Sequence, residues 1–142
     1  QPNNIFVAGF LGSPSMNFLE VTIDSHDDGL FAKAASFELP LSTSSDRLAP
    51  YLNRSVILGI RPEGIYHPNY RPPGINPIDI KAEISVIELM GHELIVYATL
   101  ANGSEVVARL DPRATVTPGE TVVLQIDSHR IHLFDRETEQ II

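Results

Sequence analysis

Cysteine is absent from this 142-residue chain. Its absence excludes disulfides, thiolate metal ligands and cysteine nucleophiles, and leaves the redox compartment open. Basic charge is scarce: 10 Lys and Arg stand against 18 Asp and Glu, a formal net charge of -8. Such a balance opposes long-range attraction to nucleic acid or anionic lipid, so other proteins or neutral solutes are the expected partners. Apolar runs are short. None approaches the roughly 18 residues that suggest a bilayer span, and no basic segment precedes an apolar stretch as in a signal peptide, so direct membrane insertion is not expected.

Catalytic motifs are missing too. A phosphate-binding loop needs Gly-x-x-x-x-Gly-Lys-Ser/Thr so that amides, lysine and hydroxyl meet phosphates and magnesium, and no glycine here is followed by lysine. Four hydroxyl residues crowd Ser42 to Ser45, yet no Gly-x-Ser-x-Gly elbow occurs. His129 and His132 form the one close histidine pair; on a strand a spacing of three sends them to opposite faces, and Arg130 between them repels a cation. His26 beside Asp27 and Asp28 suggests a triad fragment or a calcium loop, but lacks the ligand ladder, and turn chemistry accounts for it. Glu83, Glu88 and Glu93 are spaced by five, so on strands successive ones change face and read as solvated edges. No catalytic, cofactor or metal site is expected.

What is present is β pattern. At 142 residues the chain has one domain's worth of length, enough to bury roughly 70% of its unfolded surface. Phe6, Val7, Phe10 and Leu11 share one helical face, capped by Asn3 or Asn4 and stopped at Gly12-Ser13-Pro14. A helix that short needs a surface to dock on, either its own domain or a preceding one. Met16 to Asp24 alternates with Leu19, Val21 and Ile23 inward. Ser25 to Gly29 is a turn with Gly29 at positive φ, and Leu30 to Leu39 is a second strand.

Asp46 to Leu52 offers one helical turn capped by Ser44 or Ser45, and Ser55 to Arg61 a third strand ending at Pro62. Glu63 to Pro77 holds too many Pro and Gly for any regular element. Ile78 to Met90, Leu94 to Leu100, Glu105 to Leu110, Thr121 to Ile126 and Ile131 to Phe134 follow as strands. Asn102-Gly103 suits a type I′ hairpin turn, and the last residues form a tail. Many short strands with little helix predict an all-β sandwich or barrel.

Four blocks carry a family resemblance: Pro2 to Asn17, then Leu58-Gly59-Ile60-Arg61-Pro62-Glu63, then Val86 to Glu93, then Ile131-His132-Leu133-Phe134-Asp135 with Glu137-Thr138 behind. Taken in order, they resemble the C-terminal regulatory region, including the transport-associated OB (TOBE) domain, of ATP-binding subunits of sugar and glycerol-phosphate type ABC importers. The resemblance implies an OB-like Greek-key barrel over residues 16–142, preceded at residues 1–15 by a linker helix after an ATPase domain whose motifs are not in this chain. Opening on Gln1, the chain fits an excised fragment or a processed one. The implied role is non-catalytic, regulation and homodimerisation at the cytoplasmic face of the membrane, with a second copy, the parent ATPase domain and a regulatory protein as partners.

Gly59, Arg61 and Glu63 read as an exposed strand end or internal ion pair, or as an interface. His132, Phe134 and Asp135 read as the end of the core or as a homodimer contact. An alternative role is small-solute sensing, with Tyr66, His67, Tyr70 and Arg71 as the clustered candidates. Nucleic-acid binding lacks its basic groove.

Overall fold

The computed structural model describes residue 4, residues 15–42 and residues 45–142. The expected helix over Phe6 to Leu11 lies outside the described residues.

Strand β1 (Asn17–His26) alternates as predicted: Leu19, Val21 and Ile23 are buried while Glu20 and Thr22 face water. It runs into β2 (Gly29–Lys33) and β3 (Glu38–Pro40), and β4 (Ser55–Ile60) returns to lie against β1. The spatial order β4-β1-β2-β3 is a Greek key. The second half repeats it. Strands β6 (Pro77–Met90), β7 (Glu93–Leu100) and β8 (Glu105–Leu110) form a meander, and β9 (Thr121–Asp127) returns to pair with β6.

Each half then donates its next strand to the other. After β4 the chain crosses over as β5 (Ile65–Tyr66), which pairs with β9 of the second sheet; after β9 it crosses back as β10 (His132–Phe134), which pairs with β4 of the first. The sheet orders are therefore β10-β4-β1-β2-β3 and β5-β9-β6-β7-β8. The main hydrophobic core fills the space between, from Leu19, Ile23, Leu39 and Leu58 on one side to Ile80, Val96 and Leu124 on the other, and Met16 and Phe134 form a second, smaller cluster. Alanines at 82, 98 and 108 in that core supply the small partners that a curved β interior requires.

Several expectations change. The second predicted strand breaks at Ala34 to Phe37 into β2 and β3. In the β1–β2 turn Asp27 and Asp28 take positive φ, 48° and 60°, in place of Gly29; short polar side chains tolerate that region. At Asn102-Gly103 only the glycine does so, at 88°. Gly103 donates its N–H to the Leu100 carbonyl, and Leu100 donates to the Ser104 carbonyl, a three-residue loop with a glycine bulge in place of the type I′ turn.

The helical turn is α1 (Ser45–Leu48) continued by a 3₁₀ turn (Ala49–Tyr51), with Leu48 fully buried. Within the proline-rich segment Ile65 is also fully buried, and its burial, worth roughly 2 kcal/mol, anchors a strand of two residues. A bulge at Ser85 shifts the β6 register between Ile84 and Val86, so Glu83 and Glu88 both point outward instead of changing face. Nor are the last residues a loose tail: Phe134 and Ile141 bridge, Asn4 bridges Gln140, and Ile142 donates to the Leu133 carbonyl.

Candidate functional site

The two crossovers meet, and the sequence blocks around Arg61 and His132 lie on them. The first crossover turns through a 3₁₀ segment (Pro62–Gly64), where proline's fixed φ starts the turn and Gly64 donates to the Arg61 carbonyl at 2.9 Å. The second turns through Ser128–Arg130, with the buried Asp127 carboxylate accepting from the His129 N–H at 3.0 Å and Ser128 donating to the Asn76 carbonyl. Arg130 ties one crossover to the other: its Nη1 donates to the Glu63 carbonyl at 3.3 Å and to the Tyr66 hydroxyl at 3.0 Å. Between them lies a cavity of about 130 Å³ lined by Ile60, Arg61, Gly64, Arg130 and His132.

Of the six residues singled out from the sequence, Arg61 and His132 line this cavity and Gly59, Glu63, Phe134 and Asp135 do not. Gly59 is opposite His132 in the β4–β10 register, and a Cβ there would lie 2.6 Å from Met16 Sδ and 2.9 Å from Phe134 Cε2. Phe134 is fully buried and packs edge-on against Phe18, ring centroids 6.0 Å apart. Gly59 is buried as well. Arg61, Glu63, His132 and Asp135 are half-buried and reach the surface. His132 is held below the ordinary histidine pKa, first by burial and then by the Arg61 guanidinium.

Asp135 organises the C-terminal turn. Its carboxylate accepts from the N–H groups of Glu137 and Thr138 and from the Tyr51 hydroxyl at 2.8 Å. The Thr138 amide, then Tyr51, keeps it below the usual carboxylate range. A hollow of about 360 Å³ opens there, between Tyr51, Arg54, Asp135 and Arg136.

The solute-sensing candidates do not converge on one pocket among those the described residues line; only His67 and Tyr70 meet. Tyr66 accepts from Arg130, Arg71 donates to Gln125 at 2.6 Å, and Tyr70 meets the His67 ring at a tilt of 47°, with the Arg113 guanidinium over the Tyr70 ring at 4.8 Å. His129 sits on a 3₁₀ turn, not a strand, with Asn76 at 2.7 Å. His26 lies flat on Phe31 at 3.9 Å, with Nδ1 3.1 Å from Asp27 and Nε2 2.8 Å from Glu38. Asp24 completes a group whose ligand atoms lie within 4.8 Å of one another, but both ring nitrogens are already engaged by carboxylates.

One residue that sequence reasoning passed over joins the two sheets. Asn17 is 7% exposed. Its Nδ2 donates to the carbonyls of Ile60 and Val107, and its Oδ1 accepts from the Val107 N–H at 2.7 Å. The side chain thus acts as a neighbouring strand for β8, ninety residues away in sequence. A polar residue beside Met16 at a strand start was its only signal.

Two interlocked Greek keys closed over a shared main core define an OB-like all-β barrel. The TOBE domain family model matches residues 58–134, over half the chain, and the MalK OB fold domain model matches residues 12–65. The chain belongs to the TOBE domain family. It is 44% identical over 142 residues to the osmoprotective compounds uptake ATP-binding protein GgtA of Synechocystis sp., covering all of this chain and 38% of that protein. It is 39% identical over 146 residues to the multiple sugar-binding transport ATP-binding protein MsmK of Streptococcus mutans and 36% over 141 residues to the oligosaccharides import ATP-binding protein MsmX of Bacillus subtilis. These cover 100% and 97% of this chain, which spans 37% of each relative. A molybdate-bound structure of the cytoplasmic molybdate-binding protein ModG shares the fold, with a TM-score of 0.60 at 12% identity over 84% of this chain and 94% of that one.

Proposed function

We propose that this chain is the non-catalytic regulatory and dimerisation module, residues 16–142 after a linker over 1–15, of an ATP-binding subunit of a sugar-type ABC importer. Alignment of the whole chain with about a third of such subunits carries the reading. The module sits at the cytoplasmic face of the membrane through its parent ATPase domain, pairs with a second copy and offers a surface to a regulatory protein. A stable contact between two such modules raises the effective concentration of the attached ATPase domains for one another. Symmetry makes that contact isologous, the same patch used twice.

Two features support a contact role. Arg61 and His132 line one cavity at the surface, and the half-buried Glu63 and Asp135 add charge elsewhere on it. The β6–β7 hairpin end exposes Val86 at 51%, Leu89 at 68% and Met90 at 59%, a set of apolar side chains that a purely structural barrel does not need.

The test pairs sedimentation of the chain with a thermal-shift screen against sugars and related neutral solutes. A reversible dimer whose melting temperature ignores the solutes supports the reading. A monomer stabilised by one solute replaces it with the sensor.

A further inference from the structure

We propose that the open edge of β6 beyond its bulge, Ile87 to Met90, is a strand-addition site for an extended segment of another protein that alternates apolar and basic side chains. The inference rests on the reading of this module as a surface for other proteins, but not on its pairing with itself.

Backbone pairing is the first reason. Strand β9 covers β6 from Pro77 to Glu83, and the last bonds on that side run from the Ile84 N–H to the Glu120 carbonyl and from the Gly119 N–H to the Ile84 carbonyl. Past the bulge, β6 continues to Met90 against β7 alone among the described strands. Gly91 and His92 form a two-residue turn, which makes Met90 and Glu93 a bonded pair. Bonding then alternates, so the N–H and carbonyl groups of Ile87 and Leu89 turn away from β7 to the uncovered side. Such an edge is a template for another strand, and no Lys or Pro after the bulge blunts it.

Side chains decide which strand fits. Val86, Leu89 and Met90 are exposed and call for apolar neighbours. Residues 82–108 hold four glutamates and no Lys or Arg. Glu93 pairs with Arg109, but Glu83 and Glu88 form no ion pair among the described residues. The Tyr97 hydroxyl, raised above its usual pKa first by its hydrogen bond to Glu88, holds that carboxylate in place. A Lys or Arg opposite Glu88 supplies the favourable cross-strand pair. A second copy does not: setting Ile87 against the copy's Leu89 places Glu88 opposite itself, and centring the contact on Ile87 or on Leu89 runs the edge into the bulge or into the Gly91 turn.

The probe is a short blocked peptide, Val-Lys-Val-Lys-Val-Lys-Val, titrated into the isotope-labelled chain and followed by amide NMR. In the free chain the Ile87 and Leu89 amide protons exchange freely with deuterated water. With the peptide their signals shift saturably and their exchange slows at least tenfold. N-methylation of the valines abolishes binding because it removes the donors aimed at β6, whereas N-methylation of the lysines, whose amides face away, leaves it intact. Glu88→Lys weakens this peptide at least tenfold and admits the valine–glutamate peptide in its place, with amide spectra establishing that the fold is retained. Three results overturn the proposal: protection of the two amides without peptide, including protection by a second copy at high concentration; equal binding of the valine-methylated peptide; or indifference to Glu88→Lys. Sedimentation reads pairing separately, so a failure here and a failure of the pairing role are told apart.

Discussion

Replacing Asn17 with alanine removes the side chain that stands in for a strand beside β8. Three hydrogen bonds go, at 2.7, 2.9 and 3.1 Å, leaving the N–H and carbonyl of Val107 without that partner. A polar group stranded in the interior costs about 1–3 kcal/mol; because Val107 is half-buried, water recovers part of this, and the two groups together cost about 3 kcal/mol. For a chain of this length the unfolding entropy is about 0.3 kcal/mol/K, so Asn17→Ala lowers the melting temperature by about 10 °C. Asn17→Asp keeps the acceptor for the Val107 N–H but loses both donors and sets a negative charge beside two carbonyls, so it costs at least as much at neutral pH. Thermal and urea unfolding read both variants. A loss within about 0.5 kcal/mol for Asn17→Ala, the ordinary range for a surface change, refutes the tie between the sheets.

Further outcomes follow from the same geometry. Gly59→Ala forces a methyl against Met16 and Phe134 and costs about 1–3 kcal/mol in urea unfolding; the double variant with Met16→Ala costs less than the sum of the two single changes. His26 is raised above its ordinary pKa by its hydrogen bond to Asp27 and then by Glu38, so this pairing stabilises below the unfolded value of 6.5 and is lost as pH rises through the folded one. Glu38→Gln therefore lowers the His26 pKa in an NMR titration. Asp111 is depressed to about 2 by hydrogen bonds from the Arg113 side chain and backbone, so its contribution is present above the unfolded value of 3.8 and disappears as pH falls toward 2. Asp111→Asn accordingly lowers the melting temperature slightly at neutral pH and leaves it unchanged at the acid end.

Legibility in the sequence tracked how local each cause is. Strand β1 shows in its alternation because one face meets the core, and β4 and β6 to β9 show as apolar runs bounded by turn residues, signals carried within six or more residues. Strand β5 has two residues, too few for a period, and its prolines and glycines argued for a loop although Ile65 is buried. The bulge at Ser85 changes facing without any glycine or proline to announce it. The tie made by Asn17 went unread because its partner is ninety residues away. For the site, Arg61 and His132 stood out as separate blocks; that they line one cavity, and that Arg130 joins them, depends on the exchange of β5 and β10 between sheets, which no local pattern encodes.

The proposal that this module works by pairing is tested most directly by sedimentation equilibrium of the chain beside Glu63→Arg, which reverses one charge at the crossover surface without removing a core side chain. The account predicts a concentration-dependent dimer for the native chain and a weaker one for the variant. A native chain that stays monomeric at every concentration, or a dimer untouched by the substitution, contradicts it.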